Sequence, residues 1–263
     1  RGFLFGDSVY EVIPSYNNKL FLFDEHLERL KNSLSVTNIT TPESLKDLHP
    51  LMMELLKRNE FSNQAIYIQI TRGEDPERSH VSDGSTVPTL FMSSTELEIN
   101  PYRKSRHKEG LKVKLEEDIR WKRCDVKATT LLPNVIPFHY EGESDIDEIL
   151  FHDGHKINEG SKSNFFFVFD DLIVTPPKEQ NILPGVTRNY FLKTLLEEGF
   201  KVSEKEVRIE DLNKADEIWV TSSTKEIQPV HQVENIVLPG KESDEYYWNK
   251  ALKVLEEDLK SNC

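Results

Sequence analysis

The chain has 263 residues, 37% of them hydrophobic and 30% charged, with a formal net charge of -13. That length suits one large core or two modest ones, and the acidic balance argues against nucleic acid or an anionic membrane surface as the main partner. No apolar run reaches membrane-spanning length and no signal-peptide pattern is present. Cys124 and Cys263 are the only cysteines, so no disulfide framework is expected and a reducing cytoplasm is the simplest setting. The chain opens on Arg1, in residues that already read as the interior of a domain, and a strand and turn are expected to precede it.

Tyr10 to Tyr16 and Lys19 to Phe23 read as two strands around an Asn17-Asn18 turn. Asp24 is placed to cap the helix that follows, where Leu27, Leu30 and Leu34 recur at helical spacing. Thr41-Pro42-Glu43 marks a second helix start, with Leu45, Leu48, Met52 and Leu55 on its apolar face. Pro50 should kink that helix or end its first part. Ala65 to Arg72 alternates, with Ile66, Ile68 and Ile70 on one face of a strand, and Pro88 to Ser94 reads as its neighbour. The polar run from Glu96 to Gly110 is the best linker candidate. It divides the chain into an α+β domain at 1–97, a linker at 98–110 and a strand-rich domain at 111–263.

In the second half Leu111, Val113 and Leu115 alternate. Glu148 to His152 and Lys156 to Asn158 flank Asp153-Gly154, a hairpin signal, and Phe165 to Phe169 pairs with Leu172 to Thr175 around Asp170-Asp171. A helix should follow Gly185, with Phe191, Leu192, Leu195 and Leu196 inward and Gly199 closing it. Glu217 to Thr221 reads as a strand ending in Ser222-Ser223-Thr224, and Asp244 to Lys260 as a terminal helix.

Three segments carry chemistry in combination: Arg123-Cys124-Asp125-Val126-Lys127, Glu159-Gly160-Ser161-Lys162-Ser163-Asn164, and Leu183-Pro184-Gly185-Val186-Thr187-Arg188. Taken singly, Lys127 reads as a surface charge and Glu159 as a turn carboxylate. Arg29 reads as an exposed helix arginine paired with Glu25. Together they supply an amine that burial can make a nucleophile and base, an acid, and a helix N-terminus suited to a phosphate. In order and spacing the set resembles the class IV aminotransferases, the fold type IV enzymes that use pyridoxal 5'-phosphate (PLP), over nearly the whole chain.

The resemblance implies a two-domain α+β / α/β fold with PLP in the cleft between the domains. It makes Lys127 the lysine that holds the cofactor covalently, and Glu159 of E-G-S-x-S-N the partner of the cofactor's ring nitrogen. It gives the phosphate to the backbone N–H groups of Val186 and Thr187, the Thr187 hydroxyl, Ser223 with Ser222 assisting, and Arg29 of H-x-x-R-L. Leu183 packs on a face of the ring. No metal site is read from the sequence.

Arg78-Ser79-His80, on the loop after a strand, looks like the carboxylate trap of the D-amino acid aminotransferases, in which arginine and histidine clamp a substrate carboxylate for the partner subunit of a homodimer. Tyr10 matches the tyrosine that joins the trap from the same subunit; otherwise Arg78 and His80 belong to an ordinary polar loop. Leu132 stands five residues after Lys127, where branched-chain members usually carry tyrosine. The expected activity is therefore transfer of an amino group between a D-amino acid, such as D-alanine, and a 2-oxo acid. Alternatives are an L-selective branched-chain-type transaminase, an aminodeoxychorismate lyase-like enzyme, and a non-catalytic PLP-binding or dimeric interaction protein. The loop from Arg72 to Arg78 is one residue longer than in the D-amino acid pattern. Val81-Ser82-Asp83 stands where that pattern has a proline, Pro137 interrupts a segment helical in relatives, and Pro14-Ser15 lies on the substrate side of the first domain. These departures bear on the substrate, not on the PLP.

Overall fold

The computed structural model describes residues 1–82, 84–105, 109–140, 145–179, 181–239 and 245–262. Cys263, Asp83 and Asp244 lie outside the described residues. The chain forms two compact units: Arg1–Glu98 with Val126–Leu131, and Ile99–Asp125 with Leu132–Asn262. The division differs from the expected contiguous domains, because the segment carrying Lys127 leaves the second half of the chain and packs with the first unit. The polar stretch around 98–110 is also not bare linker. Asn100 caps a short helix and donates to the carbonyls of Lys225 and Ile227, Tyr102 is 2% exposed, and Arg103 pairs with Glu226.

The first unit contains α1 (Gly2–Phe5), β1 (Ser8–Tyr16), β2 (Lys19–Leu20), α2 (Phe23–Val36), α3 (Leu48–Lys57), β3 (Gln64–Thr71) and β4 (Thr89–Glu96). The strands form an antiparallel sheet in the order β2-β1-β3-β4. Asn17 and Asn18 both take positive φ, which makes the tight turn expected between β1 and β2. β2 is shorter than its sequence reads because Leu22, at φ 54°, turns the chain straight into α2. Asp24 consequently sits inside the first turn and does not cap it; its charge there still complements the helix dipole. The second helix start is a 3₁₀ turn at Glu43–Asp47, and Pro50 falls in the first turn of α3, where its missing N–H costs nothing. Ile66, Ile68 and Ile70 are fully buried with Ile13, Leu30, Leu34 and Met52, joined by Val126 and Ala128 of the returning segment. Burying each such isoleucine stabilises the unit by about 1.5–3 kcal/mol.

The second unit contains α4 (Pro101–Lys104), β5 (Leu111–Glu117), α5 (Leu132–Val135), β6 (Glu148–His152), β7 (Ile157–Gly160), β8 (Asn164–Phe169), β9 (Leu172–Thr175), α6 (Val186–Glu197), β10 (Lys201–Glu204), β11 (Glu217–Ser222), β12 (Glu226–Val233), β13 (Ile236–Val237) and α7 (Tyr247–Asn262). Among the described residues nine strands make one mixed sheet, ordered β10-β9-β8-β11-β12-β5-β6-β7 with β13 on β12. Phe165, Phe166 and Phe167 are all buried, so β8 is covered on both faces. Phe166 stacks on Trp219 with ring centroids 4.3 Å apart, and Phe191 of α6 meets the same indole edge-on. In α6, Phe191 and Leu195 face inward as expected, but Leu196 is 55% exposed. Glu217 accepts the backbone N–H groups of Tyr247 and Trp248 and so caps α7 from a neighbouring strand. Pro137 sits in a 3₁₀ turn at Ile136–His139 that continues from α5. Among the described residues no helix is long and apolar enough to cross a membrane.

Candidate active site

In the first unit Lys127 lies outside any strand, one residue before the isolated bridge at Ala128. Its carbonyl accepts from Tyr10 N (2.9 Å), its N–H donates to Ser33 Oγ (3.3 Å), and the bridge between Val9 and Ala128 lays the segment along β1. The amine lies 4.4 Å from the centroid of the Tyr10 ring. Among the described residues of this unit no carboxylate pairs with it, so a half-buried amine is fixed at its root on an aromatic face.

Arg29 does not lie along the surface of α2 toward Glu25; it turns inward. Its Nε and an Nη donate to the two carboxylate oxygens of Glu11 (2.7 and 2.8 Å), and His26 Nδ1 lies 2.8 Å from the same carboxylate. Glu11 and His26 are 0% and 1% exposed, Arg29 8%. Burial pushes the Glu11 carboxyl up, but the charge and hydrogen bonds of Arg29, then His26, outweigh it and hold Glu11 well below the usual carboxylate range. Burial, with Arg29 and Lys127 adding to it against the pull of Glu11, depresses His26.

Arg78 and His80 are exposed on the loop between β3 and β4. Tyr10 stacks on Tyr67 (5.6 Å between centroids), and no hydrogen bond or ring contact joins it to Arg78 or His80 within the chain. The structure thus groups Tyr10 with Lys127, and Arg78 with His80, but not the four together.

In the second unit Glu159 lies within β7, 5% exposed. It accepts from Arg120 (2.8 Å), the Leu183 N–H (3.0 Å) and Asn164 Nδ2 (3.1 Å), while Asn164 also donates to the Leu183 carbonyl. Asp118, Asn158 and Asn181 extend this network, with Arg120 forked onto Asp118. Burial raises the Glu159 carboxyl to about 7, against the pull of Arg120 and the Leu183 N–H. Burial beside these acids likewise pushes the Cys124 thiol up to about 12, an inert structural thiol.

The same network places the anion-binding elements. Gly185 opens α6 without a side-chain cap, and a Cβ there would overlap Asn164 Oδ1, so only glycine lets this turn approach β8. Val186 and Thr187 follow, both buried, at the positive end of a helix of 12 residues. Thr221 pairs with Asn164 across the sheet, bringing Ser222 and Ser223 to the same end as Glu159. The Thr221 hydroxyl is buried there without a hydrogen-bond partner among the described residues. Arg120, Asp118, Glu11 and His26 have no role in the sequence reading. Their only signals were the Asp-x-Arg spacing ahead of Lys127 and their places beside Tyr10 and Arg29.

Residues 8–233 match the family Amino-transferase class IV. The chain is a class IV aminotransferase. The D-alanine aminotransferase of Listeria monocytogenes is 33% identical over 242 residues, covering 92% of this chain and 83% of that protein. Among solved structures, a 4-amino-4-deoxychorismate lyase candidate from Legionella pneumophila has a TM-score of 0.85 at 21% identity, covering 98% of this chain and 93% of that one. The branched-chain amino acid aminotransferase of Escherichia coli has a TM-score of 0.83 at 21% identity, covering 99% and 87%. The fold is that of the fold type IV enzymes, and the chain is a PLP-dependent transaminase.

The side chains fit that cofactor. An uncapped helix start with an orphaned hydroxyl at the same sheet end suits a phosphate, and a buried carboxylate that burial raises to about 7 despite Arg120 would be held ionised by a further cationic partner. The latter has a measurable consequence without any ligand. Glu159 holds its proton more tightly folded than unfolded, so its contribution to stability is complete below the ordinary 4.5 and lost as pH rises to about 7. The loss is on the order of 3 kcal/mol. Melting curves of the cofactor-free protein between pH 4 and about 8 should show this component in the wild type and lack it in Glu159→Gln. Identical pH dependence in the two proteins would mean that Glu159 does not titrate in this range.

Proposed function

We propose that this transaminase moves an amino group between a D-amino acid, D-alanine among them, and a 2-oxo acid, acting as a homodimer in the cytoplasm. The observation that carries the D-selective reading is the Arg78-x-His80 pair: both side chains stand exposed on one loop without a carboxylate partner among the described residues. The 33% identity to the D-alanine aminotransferase of Listeria monocytogenes supports the same substrate class. In this reading Arg78 and His80 clamp the substrate carboxylate for the partner subunit, and Tyr10 joins from the subunit that holds the substrate.

PLP, when bound, supplies an aldehyde that bonds an amine and a ring that accepts the electron pair left as the substrate Cα proton departs. The protein does the rest. Lys127 Nζ would hold the cofactor between turnovers and, as a free amine, would be the base that takes up the substrate Cα proton and gives it back. Glu159 keeps the ring nitrogen protonated, with Arg120 fixing the carboxylate. Val186, Thr187, Ser222, Ser223 and Arg29 anchor the phosphate, and Leu183 packs on the ring.

A half-reaction tests the substrate class. The yellow holoenzyme is mixed with D-alanine, L-leucine or L-glutamate without an oxo acid, and the visible band of the lysine-linked cofactor is followed. Bleaching by D-alanine alone is the expected result. Bleaching only by the L-amino acids would overturn the D-selective reading and make the enzyme a branched-chain type. Turnover without a 2-oxo acid would make it a lyase.

A further inference from the structure

Residues 72–88 join β3 to β4 with no helix or strand among the described ones. A loop of that length has no internal frame, yet a carboxylate clamp works only if its donors are held to within about 0.5 Å. The frame comes from the start of the chain. The Arg1 side chain is 6% exposed and donates four hydrogen bonds: Nε to Asp7 (2.8 Å), one Nη to Asp75 (2.5 Å) and to the Ser79 carbonyl (2.8 Å), and the other to the His80 carbonyl (3.1 Å). Asp7 also accepts from Arg72, whose remaining donors reach the carbonyls of Thr37 and Asn38 beyond α2. A planar fork of fixed donors can make this set of contacts; a lysine ammonium cannot span it.

Phe5, on α1, completes the arrangement. Its ring centroid lies 5.1 Å from the Arg78 guanidinium carbon, 4.9 Å from that of Arg1 and 5.4 Å from the His80 ring. A cation on an aromatic face is held in place while its N–H donors stay available. Among the described residues of the first unit neither the Arg78 nor the His80 side chain makes a hydrogen bond or ion pair.

We infer that Arg1 and Phe5 are positioning residues for carboxylate recognition, Arg1 by fixing the backbone at Ser79 and His80 and Phe5 by fixing the Arg78 guanidinium and the His80 ring. The inference rests on the proposed trap role of Arg78 and His80. The test compares D-alanine with D-alaninamide, the same amine without the carboxylate charge, in the PLP-loaded enzyme and its Arg1→Gln, Phe5→Leu, Arg78→Ala and Arg1→Gln/Arg78→Ala variants. Arg1→Gln and Phe5→Leu should each raise KM for D-alanine about 10-fold or more, with little change in kcat, in the absorption of the bound cofactor or in D-alaninamide turnover. Arg1→Gln should add less once Arg78 is gone, because only His80 then remains to be positioned. If Arg78→Ala loses the preference for D-alanine over D-alaninamide while Arg1→Gln and Phe5→Leu keep it, the positioning roles are overturned and the trap stands. Equal losses on both substrates with a lowered Tm would assign Arg1 and Phe5 to folding alone and also overturn the inference. If Arg78→Ala keeps that preference, the trap itself fails, and the inference with it.

Discussion

Lys127→Ala is expected to lower kcat by about 10⁴-fold or more, the scale on which a nucleophile that also moves a proton contributes. The variant should still fold, because the features that place residue 127 are backbone features. Its carbonyl bonds Tyr10, its N–H bonds Ser33, and the buried side chains on either side belong to Val126 and Ala128. Truncation removes a half-buried amine resting on Tyr10, not a core side chain. PLP should still bind through its phosphate and ring nitrogen, but without the visible band of the lysine-linked form. Purified Lys127→Ala that turns over like the wild type, measured as oxo acid released per enzyme, would remove Lys127 from the chemistry. A variant that cannot be loaded with PLP by any means would show that the covalent link carries most of the affinity.

Much of this was legible locally. The alternation of Ile66, Ile68 and Ile70 located β3, and the pairing of Gly185 with Gly199 bracketed α6, because periodicity and backbone freedom leave marks within a few residues. Motif spacing likewise marked Lys127, Glu159 and the α6 N-terminus. Long-range partnerships left no such mark. Arg120 and Glu159 are 39 residues apart and Arg29 and Glu11 18, and each pair is joined only when strands and helices pack. The return of Val126–Leu131 to the first unit was hidden because composition changes at a linker, whereas this crossing happens inside a continuous polar-to-apolar stretch. β12 escaped notice for a different reason. Pro229 interrupts its sequence pattern, yet in the sheet it stands opposite Trp219 on β11, between β11 and β5. Asp24 misled because cap preference competes with backbone geometry, and Leu22 in the left-handed region starts the helix earlier.

Glu11→Ala is expected to cost about 3–5 kcal/mol of stability, because it strands a buried guanidinium beside a buried imidazole. In a protein of this size that corresponds to a fall in Tm of about 10 °C. The pH dependence follows from the same three residues. Glu11 is depressed when folded, so its contribution is present above the ordinary carboxylate value and is lost as pH falls below it. His26 is depressed as well; the unfolded chain takes up its proton first, and stability drops as pH falls below the ordinary 6.5. Both act in one direction, against the opposite change that Glu159 makes between about 7 and 4.5, so the cofactor-free wild type should lose stability steeply only below 4.5. In Glu11→Ala the share of this acid loss that Glu11 contributes should vanish, leaving that of other depressed carboxyls such as Asp7 and Asp118. Removing Glu11 and Arg29 together should cost less than the sum of the single changes, because the second change removes the charge that the first left uncompensated. Urea melts of the four proteins at about pH 7, 5 and 3.5 measure each quantity. Strict additivity, or a Glu11→Ala protein within about 1 kcal/mol of wild type, would mean that water reaches this group and the ion pair is not a buried one. If the coupling is found, Arg29 is a cation whose charge and direction are fixed by the fold before any phosphate arrives, and that pre-organisation is what an anion anchor needs.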